Sequence, residues 1–296
     1  MDDKTIQSVV EAVLAKLSEQ GKSEEPEKIK RAVENISVDN TDFSDIEDIA
    51  SPEVKHRPLL DNPMDVDGLN RMLSKTPARI GVGRTGARIK TKTQLALRAD
   101  HAAARDSVFA DVDEKLIEDM GLFSVQTKCH DRNEHLTRPD LGRRFDDETA
   151  QEIKSKCSPN PDVQFIVSDG LSSKAIEANI KNVLPAVMDG VKALGYSVGT
   201  PFFVKYGRVG CMDHASELIG AKVTCILIGE RPGLGTAESM SAYIVYEAKI
   251  GNSESLRTVV SNIHSGGITP VEAGAYLAEV IDLIMKNKAS GVKLKK

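Results

Sequence analysis

Apolar positions recur along this chain with two different periods. Ile6, Val9, Val10, Val13, Leu14 and Leu17 fall at i, i+3, i+4, i+7, i+8 and i+11, which predicts one apolar stripe on a helix. From residue 163 onward, short β-branched runs alternate with helical stretches. Residues 163–168, 200–205, 222–228, 241–246 and 256–261 read as strands, and 172–194, 213–220 and 270–288 as helices. Pro185 is expected to interrupt the first of these helices, while Pro270 opens the last, where a missing N–H costs nothing. The run 222–228 (Lys-Val-Thr-Cys-Ile-Leu-Ile) shows no alternation and predicts a strand buried on both faces. Strand–helix alternation of this kind predicts an α/β fold with a doubly wound, mostly parallel sheet.

The first half reads differently. Residues 57–120 are mostly helical with a Pro/Gly-punctuated start, and a helix is expected over 93–109 with Leu95, Leu97, Val108 and Phe109 in its core. A short connecting region follows. Between residues 19 and 51 the chain is rich in Glu, Lys, Asp, Ser and Asn and reads as a linker. The expected organisation is therefore an amphipathic docking helix (1–20), an acidic linker (21–56), a small helical domain with a basic segment (57–125) and the α/β domain (126–296). An apolar stripe tethered by a solvated linker suits docking onto another surface. Four acids against two lysines in residues 1–20 disfavour a membrane as that surface.

Charge sharpens this division. The net charge of −5 is unevenly spread: residues 1–50 hold thirteen acids against six bases, leaving +2 for the rest. No apolar run reaches the eighteen or so residues of a membrane span, and no secretory signal is expected at the N-terminus, which together point to the cytoplasm. Cys129, Cys157, Cys211 and Cys225 contain no C-x-x-C pair and read as reduced thiols.

Candidate chemistry collects at strand exits. Residues 229–235 (Gly-Glu-Arg-Pro-Gly-Leu-Gly) follow the buried strand directly, and ligands of open α/β sheets bind at such carboxyl ends. Glycines admit close backbone approach, and Glu230 and Arg231 offer directional polar contacts. A plain tight turn with a structural ion pair is the alternative. Ser168, Asp169 and Gly170, with Ser172 and Ser173 as N-caps, end another strand, and Asn262 and His264 beside Gly266 and Gly267 end a third. Three such exits on one edge predict a binding crevice.

Several decoys accompany them. Residues 81–86 fit G-x-G-x-x-G but lack the buried strand before and the helix within that the dinucleotide fingerprint needs. The surrounding Arg79, Arg84, Arg88, Lys90 and Lys92 suit phosphate, an acidic protein surface or a solvated face; without interleaved aromatics they do not suit nucleic acid. Cys129, His130 and His135 lack a second liganding cluster, so no metal site is expected. Asp213-His214 lacks the Gly of the Asp-x-His-x-x-Gly motif of one corrinoid class.

Seven segments nevertheless resemble one family, the small (light) subunit of ethanolamine ammonia-lyase. They are 79–86 (Arg-Ile-Gly-Val-Gly-Arg-Thr-Gly), 100–108, 137–143 (Thr-Arg-Pro-Asp-Leu-Gly-Arg), 168–172, 199–209 (Gly-Thr-Pro-Phe-Phe-Val-Lys-Tyr-Gly-Arg-Val), 229–235 and 261–264. They stand in family order and cover about residues 57–296. The resemblance implies a Rossmann-like domain and a carbon–nitrogen lyase that uses adenosylcobalamin to convert ethanolamine to acetaldehyde and ammonia. It implies activity only with a TIM-barrel large subunit, with the cofactor between the subunits and its dimethylbenzimidazole still on cobalt. No catalytic residue of this chain is implied. Carried over residue by residue, the cofactor contacts fall on Val209, Glu230 and Val259; relatives can carry Cys at the last position, which leaves a backbone contact there. The N-terminal helix resembles peptides that guide enzymes into bacterial microcompartments. A reading of a different class is a stand-alone nucleotide-binding regulator or interaction module using the glycine-rich exits.

Overall fold

The computed structural model describes residue 54, residues 57–76 and residues 78–295. The expected helix of residues 1–20 and all of the expected linker except residue 54 lie outside the described residues. Described elements begin with α1 (Val66–Leu73), capped by Asp65, whose side chain accepts from the Gly68 N–H. A hairpin of β1 (Arg84–Thr85) and β2 (Arg88–Ile89) follows, then α2 (Thr91–Phe109) and α3 (Glu114–Asp119).

A six-stranded sheet forms the centre. Its strands are β3 (Phe123–Gln126), β4 (Val163–Ser168), β5 (Phe202–Lys205), β6 (Val223–Gly229), β7 (Met240–Tyr246) and β8 (Thr258–Ile263), in the order β3-β5-β4-β6-β7-β8. Interspersed are α4 (Arg132–Thr137), α5 (Asp147–Lys156), α6 (Ser173–Ala193), α7 (Cys211–Ile219) and α8 (Pro270–Asn287). Every side chain of β4 and β6 is buried, as suits strands covered on both faces, the polar Gln164, Ser168 and Thr224 included. Phe165, Leu227 and Ile244 pack with α3, α6 and α8 in one core. Ile166, Phe202 and Ile226 pack with α5 and α7 in the other, so helices cover both faces.

The sheet is mixed, which corrects the expectation in part: three of its five pairings are parallel, and β7 alone runs against the other five strands. Strands β3, β5, β4 and β6 pair in parallel, but β7 pairs antiparallel with both β6 and β8. Only ten residues separate Gly229 from Met240. A parallel return needs a dozen or more residues, usually with a helix, so this Pro/Gly-containing link makes a turn back.

Three further expectations are corrected. Helix α6 runs unbroken through Pro185, because Val183, Leu184 and Val187 are buried on both sides of it and packing outweighs the lost hydrogen bond. Helix α2 turns its small and polar side to the core: Thr93, Ala96, Asp100, Ala104 and Ser107 are buried, while Leu95 is 51% and Phe109 45% exposed and Leu97 and Val108 are half-buried. Close packing selects small side chains there; Ser173 donates from its Oγ to the Ser107 carbonyl at 3.2 Å. The buried Asp100 pairs with Arg79. Finally, the connecting region contains β3, α4 and α5, short elements with little apolar periodicity.

Candidate functional site

The strand register places the expected exits on one edge. Ser168 pairs with Val204 and with Ile228, Gly229 pairs with Met240, and Met240 pairs with Ile263. Because two antiparallel steps restore direction, β8 ends where β4, β5 and β6 end. The β4 and β6 exits press together closely: a Cβ on Gly229 would lie 2.2 Å from the Ser172 carbonyl oxygen. Only glycine fits at that approach.

The β4 exit serves the scaffold, contrary to its expected role in holding a ligand. Ser168 Oγ donates to the Val204 carbonyl at 2.8 Å, and Ser172 Oγ caps α6 while donating to the Ala237 carbonyl. The Asp169 carboxylate is buried and accepts from Arg132 Nη2 at 2.8 Å, from the Tyr206 N–H at 3.1 Å and from the Gly207 N–H at 3.3 Å. Burial raises its pKa while Arg132 and the two amides oppose that. These bonds hold Tyr206 at φ 58°, a left-handed conformation that a bulky residue adopts only under constraint. The Arg132 guanidinium lies 4.7 Å from the Tyr206 ring centroid.

His135 sits behind the same turn. Its Nε2 lies 3.2 Å from the Gly207 carbonyl and its Nδ1 3.4 Å from Arg132, so it is held as the neutral Nε2–H form. Burial, then the charges of Arg208 and Arg132, push its pKa down to about 3.

Val209 and Glu230 follow strands at this edge, whereas Val259 stands below it, level with Tyr243 and Ile226 on the outer strand β8. Val209 is half-buried and packs on the core beneath α7, as does Tyr243. Tyr243 donates its hydroxyl to Glu230 Oε1 at 2.9 Å, and burial with that carboxylate pushes its phenol up to about 12. Val259 pairs with Tyr243 across the sheet and is 45% exposed. Tyr243 therefore links Glu230 to Val259, a connection that only the β7–β8 register reveals. Below it, Arg257 donates bidentately to Asp213 at 3.0 and 2.8 Å, tying the start of β8 to α7. Asn262 and His264 bond each other at 2.9 Å, with Asn262 at φ 64° in the β8 irregularity.

Beside these residues opens a cleft of about 530 Å³ between α2 and the 231–234 turn, lined by Arg105, Arg208 and Arg231 among apolar walls. Ligand pockets fall in this size range. Arg208 had no assigned role in the sequence, although its place one residue past Gly207 at a strand exit was the available signal.

The decoys resolve into architecture. Residues 81–86 enter the β1–β2 hairpin, with Gly86 at φ 60° in its turn, so the strand–turn–helix of a dinucleotide site is replaced by an antiparallel ribbon. In the basic segment, Arg79 pairs with Asp100 and Lys90 with Asp61. His214 accepts from the Phe145 N–H at 3.1 Å and stacks on that ring. All four cysteines are buried and free; burial pushes Cys157 up to about 11 and raises the other three. No helix among the described residues is long and apolar enough to cross a membrane.

Comparison with known proteins agrees with the arrangement of these segments. The family model "Ethanolamine ammonia-lyase light chain (EutC)" matches residues 66–295. The chain is 50% identical over 297 residues to the ethanolamine ammonia-lyase small subunit of Clostridium perfringens, covering 100% of both chains. It is 57% identical over 250 residues to that of Clostridium tetani, covering 84% of this chain and 85% of that one. The small subunit of Clostridioides difficile is 49% identical over 296 residues, again with 100% of both chains covered. A match of this length, carrying the strand exits and the turn at 229–235, shows that the chain belongs to the ethanolamine ammonia-lyase light chain family.

Proposed function

We propose that this chain is the cofactor-holding small subunit of an adenosylcobalamin-dependent ethanolamine ammonia-lyase, active only with its large subunit. The observation that carries the reading is that Glu230 bonds Tyr243, which stands beside the exposed Val259, while Val209 and Tyr243 pack on the same core. We read the four adjacent parallel strands as a doubly wound, Rossmann-like unit, extended by the antiparallel β7 and by β8, which runs with them.

The residues present fit the group. Val259 and Val209 offer apolar surface, and Glu230, oriented by Tyr243, offers a carboxylate acceptor for amide N–H groups such as those on a corrin rim. When bound, adenosylcobalamin would supply the radical chemistry for converting ethanolamine to acetaldehyde and ammonia. This chain's part is to position the cofactor and to exclude water on its side. No acid, base or nucleophile is assigned here, so catalytic contacts with substrate belong to the large subunit. The N-terminal segment 1–20, with its acidic linker, is read as a docking helix for a bacterial microcompartment shell or its cargo.

Glu230→Ala tests the reading in the assembled two-subunit protein. The expected outcome is weaker cobalamin affinity by about 10-fold with thermal stability retained. An unchanged cofactor dissociation constant rejects the role of Glu230.

A further inference from the structure

Strand β3 closes one end of the six-stranded sheet and pairs only with β5. Just past it, the Thr127 N–H donates to the Lys205 carbonyl at 3.2 Å. Alternate residues of a parallel strand bond the same neighbour. The odd positions of β3 therefore face β5, and the backbone groups of Ser124 and Gln126 point to the open edge. Helix α3 packs on one face of β3 and α5 on the other. Between them, along residues 124–126, lies a cleft of about 450 Å³. Its charge is one-sided: Asp111, Glu114, Glu148, Glu152 and Asp169 line it, against Lys205 alone. Asp111 pairs with Lys205, Glu152 with Lys156 and Asp169 with Arg132. Glu114 and Glu148 are exposed and have no ion-pair partner among the described residues.

The β1–β2 ribbon carries the opposite charge. Arg84 and Arg88 are exposed and have no carboxylate partner among the described residues. Arg84 pairs with Ile89 and Thr85 with Arg88, which puts the two arginines on opposite faces of the ribbon. Glu114 and Glu148 likewise stand on opposite sides of β3, one on α3 and one on α5. The two ribbon strands pair only with each other, so each keeps an unpaired outer edge. Open strand edges are templates for another chain. Two β3 edges repel, because carboxylates flank both, and two ribbons repel as cations do. A ribbon entering beside β3 brings one guanidinium to each row of carboxylates. No ribbon residue lines the cleft of its own chain. We infer that the β1–β2 ribbon of a second copy docks in this cleft, pairing with Ser124 and Gln126 and placing Arg84 and Arg88 against Glu114 and Glu148. The contact is heterologous, since the cleft of one copy takes the ribbon of the next, and it builds rings or open chains in place of a two-fold dimer.

Sedimentation velocity of the full chain over a concentration series tests the contact. The expected result is a mass that rises with concentration at low salt and falls back as salt is raised. The ribbon variant R84E/R88E and the cleft variant E114R/E148R are each expected to weaken self-association by about 10-fold, with far-ultraviolet dichroism unchanged. Should the reversed cleft fail to fold, E114Q/E148Q neutralises the same carboxylates and is expected to weaken association in the same direction. An equimolar mixture of R84E/R88E with E114R/E148R is expected to associate again, because each reversed surface then meets its complement. Hydrogen exchange at the Ser124 and Gln126 amides is expected to slow in the associated state. A chain that stays monomeric at low salt overturns the inference, and so does association indifferent to every variant or a mixture no better than its parts. Exchange at Ser124 and Gln126 that is unchanged on association overturns the pairing at β3. If binding of the large subunit depends on these charges and self-association does not, both surfaces belong to that partner and the second copy is overturned.

Discussion

Replacing Asp169 by alanine removes the acceptor that gathers the β4 and β5 exits. In the folded chain its two oxygens take Arg132 Nη2, the N–H groups of Tyr206 and Gly207, and a longer contact from Ser168 Oγ at 3.2 Å. Breaking a buried ion pair by removing one partner costs about 3–5 kcal/mol, because the other charge stays buried. Here Arg132 keeps the Gly170 carbonyl at 3.1 Å and Asp111 at 3.4 Å, which places the loss near the lower bound, about 3 kcal/mol. The two amides lose their acceptor as well, and Tyr206 loses what holds it at φ 58°. The 206–209 turn should therefore loosen, carrying Arg208 and Val209 with it. Urea denaturation followed by circular dichroism reads the first effect as a lower midpoint with an unchanged slope. Cobalamin titration of the assembled protein reads the second as weaker binding. A stability loss below about 1 kcal/mol refutes the reasoning, since that is the size of an ordinary surface change.

Further outcomes follow from the same geometry. The folded-state pKa of His135, about 3, lies below its ordinary 6.5. The unfolded chain therefore takes up a proton that the folded chain refuses, and stability present above about pH 6.5 is lost as pH falls toward 3, by a few kcal/mol in all; His135→Gln should flatten that part of a pH–stability curve measured by denaturant titration. Asp213→Ala leaves the Arg257 guanidinium buried with Glu254 as its remaining carboxylate and should cost about 3 kcal/mol, whereas the double change Asp213→Leu with Arg257→Met should cost clearly less; equal losses in a double-mutant cycle contradict a buried pair. Tyr243→Phe frees the Glu230 carboxylate and should reduce cobalamin affinity less than Glu230→Ala does, with the fold intact by near-ultraviolet dichroism. The four buried thiols should react with a disulfide reagent only on unfolding; rapid labelling of the native chain would place one of them at the surface.

How much of this was legible in the sequence depended on the kind of signal. The fully buried strand β6 was plain, because an apolar run without alternation has few other homes, and β4 was plain as a strand though not as a buried one. Pro270, the left-handed Gly220 and the Ser172 cap fixed helix ends to within a residue or two. Strand direction was not carried by the apolar pattern: β7 and β8 have the same β-branched composition whichever way they run, and only the ten-residue link spoke against a crossover. The buried face of α2 was misread because hydrophobicity ranks Leu95 and Phe109 above Ala96, Ala104 and Ser107, whereas close packing against α6 selects small side chains. In the candidate site, Glu230 stood out as a charge after a buried strand. Tyr243 had no such mark, since its partnership with Glu230 depends on the β6–β7 pairing. Ser168, Asp169 and Ser172 show the reverse: polar residues at a strand exit look like ligand contacts, but burial commits the serines to the backbone and Asp169 to Arg132 and two amides.

The role proposed for this chain is to supply the cofactor-facing half of a two-protein lyase. Mixing the purified chain with the large subunit and measuring acetaldehyde release with and without adenosylcobalamin tests it most directly. The expected result is cofactor-dependent release that requires both proteins and rises to saturation as this chain is added. Release that the large subunit gives alone, unchanged by this chain, would contradict it.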